Sequence, residues 1–457
     1  MSELDAVRLI ERLGTSSGHE LHGFVQSAVG LVIRATLPET WIGELCEVRT
    51  HRRGDALLAE VVGFRGDEAL LMPIGDIREV GTKSVVRRLE RCLSVRVSDA
   101  LVGRVLDGLG RPADGRPLEA SAIEWPVHRP PPDPLERMPI VRPFATGVRA
   151  IDGLLTVGEG QRVGLFAGAG VGKSTLLGMI ARNATADVVV VGLVGERGRE
   201  VNEFLEHDLG SEGRGRAVAV VATSDQPALV RLKAAHVATA VAEYFRSRGA
   251  RVLLLLDSVT RFARARREVG LAAGEPPARA GFPPSVFAEL PRLLERTGND
   301  ATGSITAFYT VLVEGNDHTE PVADEVRSIL DGHVVLSAER AGAGMFPAID
   351  VAASASRCMP RVVDREHAEA ARRIRAILST YDRERDLLLL GVYETGGDPR
   401  VDEAAAKIDD VTAFLEQERH ESERFDVTRS RLVGLARPFT ATESAPTDDD
   451  GVPSEDD

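Results

Sequence analysis

Cysteine is scarce in this chain. Cys46, Cys92 and Cys358 stand far apart among 457 residues. An odd, sparse set without paired spacing excludes a disulfide framework and a cysteine-type metal site, and reads as reduced packing residues. Histidine offers no better ligand set: the ten are scattered, and His19 and His22, three apart, have no second pair after them. Aromatics make up 4% of residues, so a core drawn from the 43% hydrophobic total must pack on Val, Leu, Ile and Ala. No apolar run approaches the roughly 20 residues that span a bilayer. The opening "MSELDAVRLIERLG" is charged and carries no apolar signal core, so a cytoplasmic protein is expected. Positive charge is also in deficit. A net charge of −14 argues against a surface built to neutralise nucleic-acid phosphates.

What is present is ordered along the chain. Up to about residue 95, short period-two apolar runs such as "GELCEVRT", "ALLAEVVGF" and "EALLMPIG" alternate with turn signals. They predict a small antiparallel barrel or sandwich. "LVGRVLDGLGRPADGRPL" and "WPVHRPPPDPLERMP" follow, too rich in Gly and Pro for regular structure, and read as a surface connector. From about residue 160, runs such as "QRVGLFAG", "DVVVVGLVG", "RVLLLLDS" and "SITAFYTVLV" alternate with helical segments. Strands apolar throughout and separated by helices predict a parallel sheet covered on both faces. Between them, Val230, Val237, Val241, Tyr244 and Phe245 fall on one helical face. From about residue 361 only helical patterns remain, "REHAEAARRIRAILSTYDRERDLL" and "VDEAAAKIDDVTAFLEQERHESERF". The closing "ESAPTDDDGVPSEDD" is acidic and nearly devoid of apolar residues, the composition of a disordered tail. The expected organisation is an N-terminal segment (1–24), a β-domain (25–95), an α/β domain with the connector at its start (96–360), a helical domain (361–437) and the acidic tail (438–457).

The chemistry centres on "AGAGVGKS", residues 167–174. The phosphate-loop pattern is G-x-x-x-x-G-K-[ST], with Ala167 here in place of its first glycine. The loop follows the strand "VGLFA" and opens the helix "STLLGMIARN". Gly168, Ala169, Gly170, Val171 and Gly172 would turn backbone N–H groups onto an anion at a helix N-terminus. Lys173 would reach the β- and γ-phosphates, Ser174 would bind Mg²⁺, and Thr175 would continue the ATP-binding turn. Asp257 ends an apolar strand, at the edge where a parallel sheet presents side chains to a ligand, and would hold the Mg²⁺ shell. Glu196 stands just past another such strand, where a carboxylate can act as general base on an attacking water. Glu200 competes for that role, with capping or ion pairing as its alternative.

From about residue 25 to 420 the sequence resembles the ATPases of bacterial type III protein secretion, flagellar and injectisome, which are related to the catalytic beta subunit of rotary ATP synthases. The resemblance rests on "GRVLDGLGRP", "AGAGVGKSTLLGMIAR", "GERGREVNEF", "VVATSDQPALVRLKAA", "DSVTRFARARREVGLAAGEPPARAGFPPSVFAELPRLLER", "GSITAFYTVLVEG" and "EVRSILDGHVVLS" in combination. It implies a RecA-like P-loop core between an N-terminal β-barrel and a C-terminal helical domain, working on ATP and Mg²⁺ in a homohexameric ring. Alanine at position 167 is tolerated in the export branch. The resemblance makes Glu196 the catalytic glutamate, Arg197 its phosphate-side neighbour, Arg261 an arginine near the same site, and Arg357 a finger lent to the neighbouring subunit. It turns "GEPPARAGFPPSVF", residues 274–287, from a rigid surface loop into one lining the ring lumen. Implied partners are stalk and regulator proteins, export chaperones, secreted substrates and the membrane export gate, without nucleic acid, at the cytoplasmic face of the inner membrane. Two departures from the synthase pattern, Ala368 after "EH" and "LEQER" near a second aromatic position, imply a differently built adenine pocket. A synthase-type rotary subunit and a hexameric nucleic-acid translocase share the core. The altered adenine positions and "GERGREV" disfavour the first; the second lacks the aromatic and basic front domain it would need.

Overall fold

The computed structural model describes residues 22–49, 56–313 and 320–437. His19, most of the N-terminal segment and the acidic tail lie outside the described residues.

Six strands, His22–Val29, Val32–Thr36, Leu45–Arg49, Ala56–Arg65, Glu68–Pro73 and Val85–Arg88, form a closed antiparallel barrel. The period-two runs put Val25, Ile33, Ala35, Val48, Ala59, Val61, Leu71 and Val86 inside. That pattern alone allows a barrel or a sandwich; here the first strand closes onto the last, Phe24 opposite Val85, which leaves no open edge.

The core is a nine-stranded sheet. Its path runs Ile349–Ser356, Gly332–Leu336, Arg162–Ala167, Ser304–Leu312, Arg251–Asp257, Val188–Glu196, Ala217–Thr223 and Val105–Asp107, with Gly298–Asn299 paired to one side. The pairs from Gly332–Leu336 through Val105–Asp107 are parallel, so their carboxyl ends share one edge. Ile349–Ser356 runs antiparallel on the outside. Helices cover both faces, as apolar strands buried on two sides require.

The structure corrects the connector in two places. Val105–Asp107, inside the Gly- and Pro-rich stretch, supplies an edge strand of the main sheet, and Ile123–Pro126 pairs with Ser94–Val97. Proline is tolerated there because the latter is a two-stranded ribbon with a free side. Val127 and Leu106 are fully buried, so this segment does not simply lie over the surface.

Helix Ala228–Ser247 is buried all round rather than along one stripe. One face packs on the sheet; the other lies under the barrel and connector, where buried charges are paired. Lys233 Nζ donates to Glu60 of the barrel at 2.7 Å and to His128 Nε2 at 2.8 Å. Arg296 donates to both oxygens of Glu243, at 2.8 and 2.7 Å, and to the Val127 carbonyl at 2.9 Å. The Lys233–Glu60 bond docks the barrel onto the core, and the bonds to His128 and Val127 fasten the connector to it.

Two helix boundaries also differ from the sequence pattern. Pro284–Leu294 is a helix, with Pro284 in the first turn where a missing N–H costs nothing, so only the earlier part of 274–287 is loop. In the C-terminal domain, helices Arg365–Leu389, Pro399–Leu415 and Phe425–Leu435 pack together, but the second stops at Leu415. The polar run after it turns back to the core: Gln417 N donates to the Phe346 carbonyl, and the Gln417 side chain accepts from Arg149 N, 268 positions away.

Candidate active site

The strand Arg162–Ala167 ends at the shared carboxyl edge and the helix Lys173–Asn183 leaves from it. Gly170 and Gly172 carry the turn at φ 75° and 86°, values that L side chains rarely adopt. A Cβ on Gly172 would also stand 3.4 Å from the Phe346 ring. Ala167 is outside this requirement: it is a buried strand residue, and its methyl group is accommodated there.

Three neighbouring strand ends bring their side chains to the loop. Lys173 Nζ lies 2.5 Å from both oxygens of Asp257 and 3.6 Å from Glu196 Oε1. Thr310 Oγ1 donates to Asp257 Oδ1 at 2.6 Å. Arg261 Nη2 donates to Glu196 Oε2 at 3.0 Å, and its Nη1 to the Gly195 carbonyl. The close approach of Arg261 requires a glycine at 195: a Cβ there would sit 3.0 Å from Arg261 Cδ, and φ is 73°. A register shift against the neighbouring strand between Val194 and Glu196 re-aims Glu196 at the strand end.

The two glutamates separate by environment. The Glu196 side chain is 8% exposed and Glu200 44%. Burial, reinforced by the Asp257 carboxylate and opposed by Lys173 and Arg261, pushes Glu196 up to about 7. Glu200, sharing a hydrogen bond with Glu196, is held below the usual carboxylate range. Among the described residues, Glu196 Oε1 is buried without a hydrogen-bond partner. A buried acceptor left open, next to a lysine and below a loop of N–H donors, suits a water beside a phosphoryl group.

Arg197 and Arg357 are not drawn into this cluster. Arg197 is 79% exposed, 3.8 Å from Glu200. Arg357 is exposed just past strand Ile349–Ser356. Ser356 pairs with Gly332, at the amino end of a strand parallel to the phosphate-loop strand. Arg357 therefore stands at the sheet edge opposite the loop, while Phe346, before the same strand, stands at the loop. The intervening 8 residues span about 26 Å at roughly 3.3 Å per residue.

Beside the loop opens a cavity of about 580 Å³, lined by Gly172, Thr175, Met179, Phe346, Pro347, and the returning segment Glu416–Arg419 among others. Ser174 is exposed on the first helical turn. Ala368 is on helix Arg365–Leu389 and does not line this cavity; its neighbour His367 donates from Nε2 to the Gly153 carbonyl at 2.8 Å instead. The aromatic wall is Phe346, which sequence reasoning missed. Its signal was available: an aromatic between "AGAGM" and Pro347 sits in a turn with no strand or helix face to fill.

A second cluster, His128, His236 and Glu289, has its ligand atoms within 4.8 Å. Its lone pairs are in use. Lys233 donates to His128 Nε2, and Arg296, a donor only, faces His236 Nδ1 at 3.3 Å. That leaves His236 Nε2 the N–H end, 3.1 Å from Glu289. A metal there would also face two cations. The donor set belongs to an ionic network.

Comparison with known proteins gives three family matches along the chain. Residues 25–90 match the β-barrel domain of the ATP synthase alpha/beta family, 147–356 its nucleotide-binding domain, and 363–433 the C-terminal domain of the type III secretion ATPase EscN. The chain is 51% identical to a type 3 secretion system ATPase of Xanthomonas euvesicatoria, over 93% of this chain and 97% of that protein. It is 48% identical to a flagellum-specific ATP synthase of Bacillus subtilis, over 93% and 98%. A solved structure of assembled EscN with its central stalk EscO, from the enteropathogenic E. coli type III secretion system, matches with TM-score 0.85 and 46% identity, over 91% of this chain and 100% of that one.

Proposed function

The chain belongs to the family of ATPases of type III secretion and flagellar export, kin of the ATP synthase α and β subunits, and from that premise we propose that it works as a homohexameric ring whose pockets are each completed by a neighbour. The observation that carries this is the split across one strand: Phe346 at this subunit's own phosphate loop, Arg357 about a strand length away at the opposite sheet edge.

In this reading the loop N–H groups from Gly168 to Ser174 and the Lys173 ammonium hold the β- and γ-phosphates of ATP, and Thr175 and Phe346 hold the nucleoside side. Lys173 exchanges Asp257 for phosphate. Ser174, an exposed hydroxyl next to Lys173 in the chain, and Asp257, the carboxylate that Lys173 contacts, are oxygen donors that fit a hard cation and would hold Mg²⁺, which neutralises phosphate charge when bound. Arg261 pins the outer oxygen of Glu196 so that Oε1 faces the attacking water and takes its proton. Arg197 reaches the phosphate side by leaving an exposed pair with Glu200, a contact of little energy. Arg357 enters the next subunit's pocket. Opening and closing of successive interfaces would drive chaperone release, substrate unfolding or stalk rotation at the cytoplasmic face of the inner membrane, by the export gate. The solved relative with a stalk supports a stalk partner; the loop before Pro284 would face it across the lumen.

Specific activity should rise steeply with protein concentration and track ring formation by light scattering. Constant turnover in a monomeric sample would remove the shared pocket. At the nucleoside end, Phe346→Ala should raise KM for ATP roughly 5- to 30-fold, as loss of about 1 to 2 kcal/mol of base stacking, with kcat nearly unchanged. An unaltered KM in steady-state assays would place the base elsewhere.

A further inference from the structure

Asp257 accepts three hydrogen bonds, two from Lys173 and one from Thr310. The first two are lost when Lys173 turns to phosphate, a step that rests on the reading above. What then holds the carboxylate is Thr310. Its residue is fully buried on the neighbouring strand, and the pairing of Leu256 with Tyr309 brings it level with Asp257. Its hydroxyl has one proton and two acceptors in reach: Asp257 Oδ1 at 2.6 Å and the Leu256 carbonyl at 3.3 Å. The shorter, ionised acceptor takes it. As a β-branched residue on a strand, Thr310 keeps a stiff χ1, so the donor direction is set by the sheet.

We propose that Thr310 is a positioning residue for the cation site: its hydroxyl fixes one oxygen of Asp257 and so directs the other toward the metal once Lys173 has left. A buried threonine that merely satisfies itself on the Leu256 carbonyl would have no such effect.

The test uses the full chain with ADP and Mn²⁺ as the spectroscopic probe, titrated by electron paramagnetic resonance. Thr310→Val keeps the volume and removes the hydroxyl; it should weaken Mn²⁺ binding to the ADP complex about tenfold, the size of one charge-assisted hydrogen bond. ADP binding in EDTA should not change. Thr310→Ser should restore most of the Mn²⁺ affinity. If the valine variant does not fold, Thr310→Ala carries the same comparison with serine. Asp257→Asn separates two failures. If it weakens Mn²⁺ binding while Thr310→Val leaves it at the parent value, the role of Thr310 is overturned. If Asp257→Asn also binds Mn²⁺ like the parent, the cation site itself is misplaced, and the inference falls with it. Equal Mn²⁺ affinity in the Thr310→Val and Thr310→Ser variants overturns it as well.

Discussion

Glu196→Gln should bind ATP and hydrolyse it about 10²- to 10⁴-fold more slowly, the span of a lost general base. The amide keeps the shape of the side chain and its contact with Arg261, but it cannot take a proton from water. It also removes a negative charge that burial, and after it the Asp257 carboxylate, disfavours, so thermal stability should not fall. The pH dependence follows from the same shift. Because Glu196 is pushed up to about 7, it is protonated and inert as a base below that pH in the free enzyme. kcat/KM of the parent should therefore rise as pH increases through about 7, and that limb should be missing from the residual activity of Glu196→Gln. Glu200→Gln, altering a more exposed side chain, should keep the limb. A Glu200 variant that loses it, beside a Glu196 variant that does not, would exchange the two roles.

Arg357→Lys should cost about 10³ to 10⁵ in kcat, the range of an arginine finger. Lysine keeps the charge but presents a point ammonium in place of a planar fork of five donors, which suits the oxygens of a phosphoryl group in its transition state. Nucleotide affinity should hold, because the loop, Lys173 and Phe346 are all at the other end of the strand. A KM increase with unchanged kcat in the assembled ring would assign Arg357 to uniform binding.

The loop, Asp257 and Glu196 were legible because each is a local signal, a glycine spacing or a carboxylate at the end of an apolar strand. The order of strands was not, and the cavity wall depends on it. Phe346 and Glu416–Arg419 meet Gly172 from far along the chain, and no spacing rule links Gln417 to Arg149. The Glu416 turn hid inside a helical pattern because its polar groups are satisfied by Arg149 and Arg182 rather than by a helix. Thr310 passed as one more residue of "SITAFYTVLV"; only the register with Leu256 gives its hydroxyl a carboxylate. The helix Ala228–Ser247 showed its apolar stripe but not its burial, since Lys233, His236, Glu243 and Arg246 are buried through partners on other segments.

The central claim is that each pocket is completed by Arg357 from a neighbour, and mixing two inactive variants before assembly tests it most directly. Glu196→Gln and Arg357→Lys are each expected to bind ATP and turn over poorly. In a mixed ring, some interfaces join a pocket with intact Glu196 to a neighbour with intact Arg357. Rings of parent mixed with Glu196→Gln calibrate how far a dead site slows the others. Against that calibration, activity should return in the mixture in proportion to the fraction of complementing interfaces. If Arg357 served its own subunit, every pocket would still lack one group; no recovery, in rings shown by mass to contain both variants, would contradict the account.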